Sequence, residues 1–311
     1  MAVIFREVSF PPLEGFSATA PNGAVIGVIG EDGSGKRSLL RLAAGDAEPI
    51  AGTVERPERA RLISFGDPLN LAPVDVLALD HALARHDALV RTRTLMAIER
   101  LRRSGATVLV TSHEEVLLRE LADEVWWIHE GRLAAKGDPR ETLEKYARHI
   151  ARRLEEWGRT LEQEPAPSFR RGDGRAELTA IETLDAEGRP TAVWRSGEGA
   201  AVRVRVRYAA PVEDPVVGIM IRTRIGFEVF GTNTEIENVH FGPCREGETV
   251  QVTFRFRCGL CPKDYTVTAA SHDPDGVWHD WMEDAVAVTV AGPVQTAGVA
   301  RLEPRVEVER V

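Results

Sequence analysis

The run Gly30-Glu31-Asp32-Gly33-Ser34-Gly35-Lys36-Arg37-Ser38 sets glycines and a lysine at the spacing Gly-x4-Gly-Lys. An unbroken apolar stretch, residues 24–29, precedes it and predicts a buried parallel strand. Leu39-Leu40-Arg41-Leu42-Ala43 follows and predicts a helix. Strand, glycine loop and helix form the setting in which backbone amides turn toward phosphate oxygens. The helix N-terminus adds partial positive charge, and the lysine reaches the outer phosphates. Gly30, Gly33, Ser34, Gly35, Lys36, Arg37 and Ser38 are therefore the candidate phosphate-binding residues. One position departs from the chemistry. The residue after the lysine normally carries a hydroxyl that ligates Mg²⁺. Here it is Arg37, which cannot ligate a cation, and Ser38 lies about 100° further around the helix.

A second apolar stretch, residues 75–80, ends in Asp80, a candidate for holding Mg²⁺ through water. In hydrolytic enzymes of this type a glutamate comes next and polarises the attacking water, whereas this chain has His81. A third stretch, 107–111, leads into Ser112 and His113. Residues 124–128 and 130–133 read as a hairpin. Asp138 and Pro139 read as the N-cap and first residue of a following helix.

Together these segments resemble the ATP-binding domain of ABC transporters over residues 1–148. The likeness is carried by GEDGSGK, DVLALD, TVLVTSHEE and LADEVWWIHEGRLAAKGDP. It implies that Gly33, Gly35 and Lys36 bind ATP phosphates, that Asp80 associates with Mg²⁺, and that His113 is the switch histidine facing the γ-phosphate. It also implies that Asp87 lies at the dimer-facing D-loop. Phe10 is either the aromatic on adenine or a residue of the early-strand core. ABC domains further carry a helical subdomain with a glutamine loop and a Leu-Ser-Gly-Gly-Gln-like signature loop. Only residues 65–74 separate the predicted strands here, and Ser-Gly-Gly occurs nowhere. In the family each ATP lies between one chain's phosphate loop and the other's signature loop, and the subdomain receives the membrane subunit. A positioned general base alone is worth ~10²–10⁴ in rate. Very weak or no ATP hydrolysis by the chain alone is therefore expected. The domain is either a binder of ATP or a structural relic.

The elements around these motifs imply an α/β P-loop core without its helical subdomain, followed by an all-β antiparallel sandwich of jelly-roll or immunoglobulin-like type. The expected divisions are 1–148, a helical connector 149–168, a sandwich 169–292 and a tail 293–311. In the connector, Leu143, Ala147, Ile150, Leu154, Trp157 and Leu161 form a heptad-like stripe, and Glu164-Pro165-Ala166-Pro167 ends the helix. The stripe packs either on the core or against its copy in a homodimer. Beyond residue 174 the period becomes two. Val202, Val204 and Val206 alternate with arginines. Val250 to Phe256, Tyr265 to Ala269 and Val286 to Val290 alternate likewise, with turns such as Asp275-Gly276 between strands.

This second region resembles the C-terminal domain of Wzt-type ATP-binding subunits of O-antigen and related polysaccharide exporters, over residues 174–291. The motifs are RSGEGAAVRVRVRY, DPVVGIMIRTRIGFEVFGTNT, GETVQVTFRF and ASHDPDGVWHDWMEDAVAVTV. The resemblance implies glycan binding. Sugar rings stack on aromatic faces, and their hydroxyls seek amides and carboxylates. That makes Trp278, His279, Asp280, Trp281, His272 and Asp273 the glycan candidates, with Trp194, Phe230, Asn233 and Glu235 a second set. Cys258 and Cys261 form a C-x-x-C with Cys244 and His240 upstream. The set is read as a four-ligand zinc site, a redox pair or ordinary cysteines.

Composition bounds the partners. The 311 residues carry a net charge of −9, split as −4 up to residue 165 and −5 after it. Neither half is basic, which argues against nucleic acid. Three cysteines make no disulfide framework, and no signal-peptide pattern or bilayer-length apolar run is present. A cytoplasmic protein is expected, joined to a membrane only through a permease partner. Three functions follow. The first is an accessory subunit of a polysaccharide ABC exporter, with ATP as cofactor and Mg²⁺ in doubt. The second is an active ATPase subunit completed by a full ABC partner. The third is a lectin-like scaffold without a transport role.

Overall fold

The computed structural model of the protein describes residues 2–68, 72–83, 88–293 and 296–302. Asp87, expected at the D-loop, lies outside them, as does the tail beyond residue 302. The chain divides into two compact units, Met1–Tyr146 and Ala147–Val311.

The first unit opens with β1 (Val3–Phe10), β2 (Leu13–Ala20), β3 (Val25–Ile29) and α1 (Lys36–Ala44). β4 (Ala51–Glu55), β5 (Ala60–Ser64), β6 (Val76–Asp80), α2 (Ala88–Arg103) and β7 (Thr107–Thr111) follow. α3 (Glu115–Leu121), β8 (Glu124–His129) and β9 (Arg132–Gly137) complete it. A six-stranded sheet runs β5-β6-β7-β3-β8-β9. It is parallel through β8, and β9 closes it as an antiparallel edge. β3, β6 and β7 are buried at every residue, which explains their unbroken apolar runs. Their carboxyl ends line up, so the glycine loop after β3, Asp80 at the end of β6 and Thr111 at the end of β7 meet at one edge. A smaller antiparallel sheet, β2-β1-β4, covers α1 with Phe5, Phe16 and Leu13 in a shared core. β5 and β6 are adjacent, with Ser64 opposite Asp80, and residues 65–75 alone connect them.

α4 (Pro139–Gly158) begins in this unit and ends in the second. Asp138 caps it as expected, its Oδ1 accepting from the amides of Arg140 (2.9 Å) and Glu141 (3.2 Å).

The second unit contains β10 (Phe169–Arg171), β11 (Ala176–Leu184), β12 (Val193–Arg195), β13 (Gly199–Tyr208) and β14 (Val216–Thr223). It continues with β15 (Glu228–Asn233), β16 (Thr249–Arg257), β17 (Lys263–His272) and β18 (Trp278–Ala291). One sheet runs β10-β18-β17-β14-β15 with β12 alongside β18, and the other runs β11-β13-β16. One core lies between them. Val202, Val204 and Val206 of β13 and Val267, Ala269, Val286 and Val288 of β17 and β18 all belong to it. The valine–arginine alternation of β13 therefore reflects one buried and one wet face. Among the described residues, no helix is long and apolar enough to cross a membrane.

Candidate functional site

Two sites emerge, one in each unit. In the first unit the glycine loop wraps the N-terminus of α1. A Cβ at Gly30 would collide with the carbonyl oxygen of Ile128, and one at Gly35 would come within 2.6 Å of Leu13 Cδ2. Gly35 also sits at φ 108°, so glycine is demanded on both counts. Lys36 is buried. Its Nζ donates to the carbonyl oxygens of Gly30 and Glu31, both at 2.8 Å. Burial pushes its ammonium below the ordinary lysine value, opposed by the negative charges of Asp32, Asp80 and Glu31. The Ser34 hydroxyl is buried without a partner among the described residues, a donor turned into the loop.

The positions expected to handle Mg²⁺ do not fit a divalent cation. Arg37 Nε lies 3.4 Å from Asp80 Oδ2, so a guanidinium stands against the carboxylate meant for the metal. Asp80 Oδ1 accepts from the hydroxyl of Thr111 at 3.1 Å. Ser38 Oγ donates to the carbonyl of Pro11 at 2.8 Å and is turned away from the loop. The site therefore offers a cation of its own where the metal's hydroxyl ligand is missing.

His81 is in the left-handed region at φ 51°, its amide donating to Thr111 Oγ1 at 3.0 Å. The imidazoles of His81 and His113 stack with centroids 4.5 Å apart. Burial, with the neighbouring His113 charge next in weight, holds His81 below the ordinary histidine value. The residue that follows Asp80 is thus a ring biased toward neutrality. Phe10 packs on the core of this unit with the Arg41 guanidinium 5.7 Å above its ring.

In the second unit, a cavity of about 250 Å³ opens on the outer face of the β15-β14-β17-β18 sheet. Strand alternation and pairing place Gly218, Met220, Gly231, Asn233, Ala270 and His272 on that face. The glycines and alanine keep part of the floor low. Trp278 and Trp281 stand along one side, edge to face with centroids 4.7 Å apart, and His272 packs on Trp278 at 4.8 Å. The Arg171 guanidinium lies 5.4 Å from the ring centre of Trp281 and 5.8 Å from that of Trp278.

Sequence alternation puts Trp278 and Trp281 on opposite faces. The structure puts them on one face because β18 carries an extra residue here. Ser271 pairs with Asp280, but His272 pairs with Trp278.

The other candidates need correction. His279 is fully buried. It reaches Ser271 Oγ with Nδ1 (3.1 Å) and Asp273 Oδ1 with Nε2 (2.9 Å). Asp280 is buried against the Arg170 fork at 2.8 and 3.0 Å and accepts the Leu178 amide at 2.7 Å. Asp273 is taken by His279 and by Arg175 at 2.6 Å. These three hold the sheets together rather than face the cavity. Of the second set, only Asn233 lines it. Trp194 is buried, edge-on to Phe256, and Phe230 faces Phe256 on the core side. Glu235 is exposed and does not line the cavity. Cys244, Cys258 and Cys261 are buried thiols, and with His240 they form no metal-ligand cluster among the described residues. His240 instead lies 3.5 Å from Asp214. Burial pushes the Cys258 thiol up to about 11, which opposes redox reactivity.

Comparisons with known proteins find relatives for both units. Residues 168–302 match the family model of the Wzt C-terminal domain. As its motifs suggest, the chain resembles a Wzt-type ABC-transporter ATP-binding subunit, and the likeness reaches both units. The O-antigen export system ATP-binding protein RfbB of Myxococcus xanthus is 24% identical, covering 73% of this chain and 68% of that protein. The teichoic acids export ATP-binding protein TagH of Staphylococcus haemolyticus is 24% identical, covering 46% of this chain and 77% of its own. Among solved structures, the C-terminal domain of wzt aligns at a TM-score of 0.44 and 18% identity, over 50% of this chain and 97% of that one.

Proposed function

We propose that the protein is a subunit of a polysaccharide ABC exporter that binds the glycan through its second unit and hydrolyses ATP weakly or not at all on its own. The finer fold reading belongs with this: a P-loop core without its helical subdomain, joined to a jelly-roll or immunoglobulin-like sandwich. The observation that carries the proposal is the paired Trp278–Trp281 wall over a glycine floor, inside the segment that matches the Wzt C-terminal domain. A sugar ring lies on the floor, stacks on the indoles and meets the polar edge at His272 and Asn233.

The first unit binds ATP with Lys36, the loop amides and Ser34, and faces a permease partner at the inner side of the membrane. The Arg37–Asp80 pair and His81 support loss of hydrolysis. The residue after the lysine carries no hydroxyl, and the residue after Asp80 carries no carboxylate. The chain also forms a homodimer. The first half of the α4 stripe is buried at Leu143 and Ala147, while Leu154 and Trp157 remain exposed, Trp157 at 57%.

Binding of the full chain to purified O-antigen-type polysaccharides, followed by intrinsic tryptophan fluorescence, tests the glycan role. Trp278→Ala and Trp281→Ala each weaken binding about 10-fold, since a lost stacking ring is worth on the order of 1–3 kcal/mol with its burial. Equal affinity in wild type and both variants would remove the pocket from the function.

A further inference from the structure

Most polar side chains that line the aromatic cavity are already spent on the fold. Thr232 is buried, and its hydroxyl donates to Glu237 Oε1 at 2.5 Å. Thr268 is buried, and its hydroxyl accepts the Asp284 amide at 2.9 Å. Asn233 Oδ1 accepts the Ile236 amide at 2.6 Å, which leaves only Nδ2 over. His272 Nδ1 lies 2.6 Å from the carbonyl oxygen of Asp273 and so carries the proton, which leaves Nε2 as an acceptor in the neutral ring. Trp281 Nε1 donates to Glu283 Oε2 at 3.3 Å. Among the described residues, Asn233 Nδ2, His272 Nε2 and Trp278 Nε1 are the side-chain groups of the lining without a hydrogen bond.

These three groups stand on opposite sides, Asn233 on β15 and the other two on β17 and β18. Between them lie Gly218, Gly231, Ala270 and the thioether of Met220, with Ile236 at 69% exposure alongside. β14 beneath them is paired on both sides, so its amides and carbonyls face neighbouring strands rather than a ligand.

A hexose carries a hydroxyl on most of its ring carbons, and each hydroxyl that leaves water without a partner forfeits its hydrogen bonds. Three separated groups do not serve such a ring on every side. A substituent without polar atoms meets no such loss, and it gains by covering Ile236, Met220 and the indoles. An O-methyl group brings an ether oxygen, and an N-acetyl group brings an amide N–H and a carbonyl, each wanting a partner. A methyl group at C6 of the sugar brings carbon and hydrogen alone.

We infer that this cavity selects a 6-deoxyhexose within the glycan, taking its methyl side against Met220, Ile236 and the indoles and leaving its hydroxyls to Asn233, His272 and Trp278. The inference rests on the glycan reading of the cavity and adds the class of sugar.

The test uses the full chain and free monosaccharides in pairs that differ only at the 6-hydroxyl: fucose with galactose and rhamnose with mannose, in both the D and L series. Saturation-transfer NMR reads contact, and titration reads affinity. The 6-deoxy member of at least one pair is expected to bind about 10-fold more tightly or better, with its methyl protons the most strongly saturated. Gly231→Val should abolish that preference. A Cβ there meets Ile219 O and Met220 Cε at 3.6 Å, ordinary contact, so the strand accepts the side chain and the cavity loses its space. Unchanged thermal melting of this variant shows that the fold is kept. D-glucose, 3-O-methyl-D-glucose and N-acetyl-D-glucosamine form the competing arm. An O-methyl or acetamido sugar bound more tightly than every 6-deoxy sugar, equal affinities within every pair, or a preference that survives in Gly231→Val overturns the inference. So does the failure of every monosaccharide to bind a chain that still takes up a polysaccharide through Trp278 and Trp281. Those results leave the glycan reading standing, whereas a chain that binds neither monosaccharide nor polysaccharide ends both.

Discussion

On the proposed function, Arg37 governs how the glycine loop meets a nucleotide. Its guanidinium at 3.4 Å from Asp80 supplies in the chain itself the positive charge that a metal ordinarily brings. ATP is therefore expected to bind with the same affinity, within about 2-fold, in EDTA and in Mg²⁺. Arg37→Thr should weaken binding in EDTA by about 10-fold and restore a gain with Mg²⁺, as read by fluorescence anisotropy of a labelled nucleotide. Binding by the wild type that requires Mg²⁺ would contradict this. His81 carries a second residue-scale prediction. Its folded-state pKa is depressed by burial, so the folded chain resists a proton that the unfolded chain accepts near 6.5. The stability it contributes is complete above pH 6.5 and is lost as pH falls below that toward the folded value. Urea midpoints measured between pH 7.5 and 5.5 should decline in the wild type and decline less in His81→Asn, a residue that tolerates the same left-handed backbone. The glycine-loop spacing, Asp80 and His81 were legible in sequence because parallel strands deliver their terminal residues to one edge. The pairing of Arg37 with Asp80 was not, because nothing in the order of residues says where a long arginine side chain turns.

At the scale of elements, the strands of the second unit were legible from period two and the turns between them. The failures lie where that period breaks. Strict alternation assigns Trp278 with Asp280 and His279 with Trp281. The extra residue in β18 instead pairs the two tryptophans and sends His279 and Asp280 inward. Trp194 misleads for a different reason. An aromatic in a short strand reads equally well as ligand platform or core, and only the covering Phe256 decides. α4 makes an element-scale prediction. Its exposed Leu154 and Trp157 should lie between copies, so Leu154→Glu/Trp157→Glu should shift the full chain from dimer to monomer in light scattering at micromolar concentration. A wild-type mass equal to one chain at all concentrations would end the dimer proposal.

For the whole molecule, the two units bury separate cores. Phe5, Trp126 and Leu109 belong to one cluster, and Val204, Tyr208 and Val288 to another. Calorimetry should resolve two unfolding transitions. Val204→Ala, with its side chain fully buried, should cost about 2–3 kcal/mol and lower only one transition by roughly 5–10 °C, while saturating ATP raises only the other. A single transition moved by both would refute the division. The two-part organisation was legible from the change of hydrophobic period near residue 170. The limits of each core were not, because α4 carries its apolar stripe across the boundary.

The bulge in β18 also decides what a change of a single codon does to this strand. Loss of His279, the extra residue, restores simple alternation with the two tryptophans two positions apart, so both indoles stay on the cavity face. What such an in-frame three-base deletion removes is the buried imidazole behind them, with its reach to Ser271 and Asp273. A change of length in this strand is accordingly felt at the buried face and not at the aromatic one.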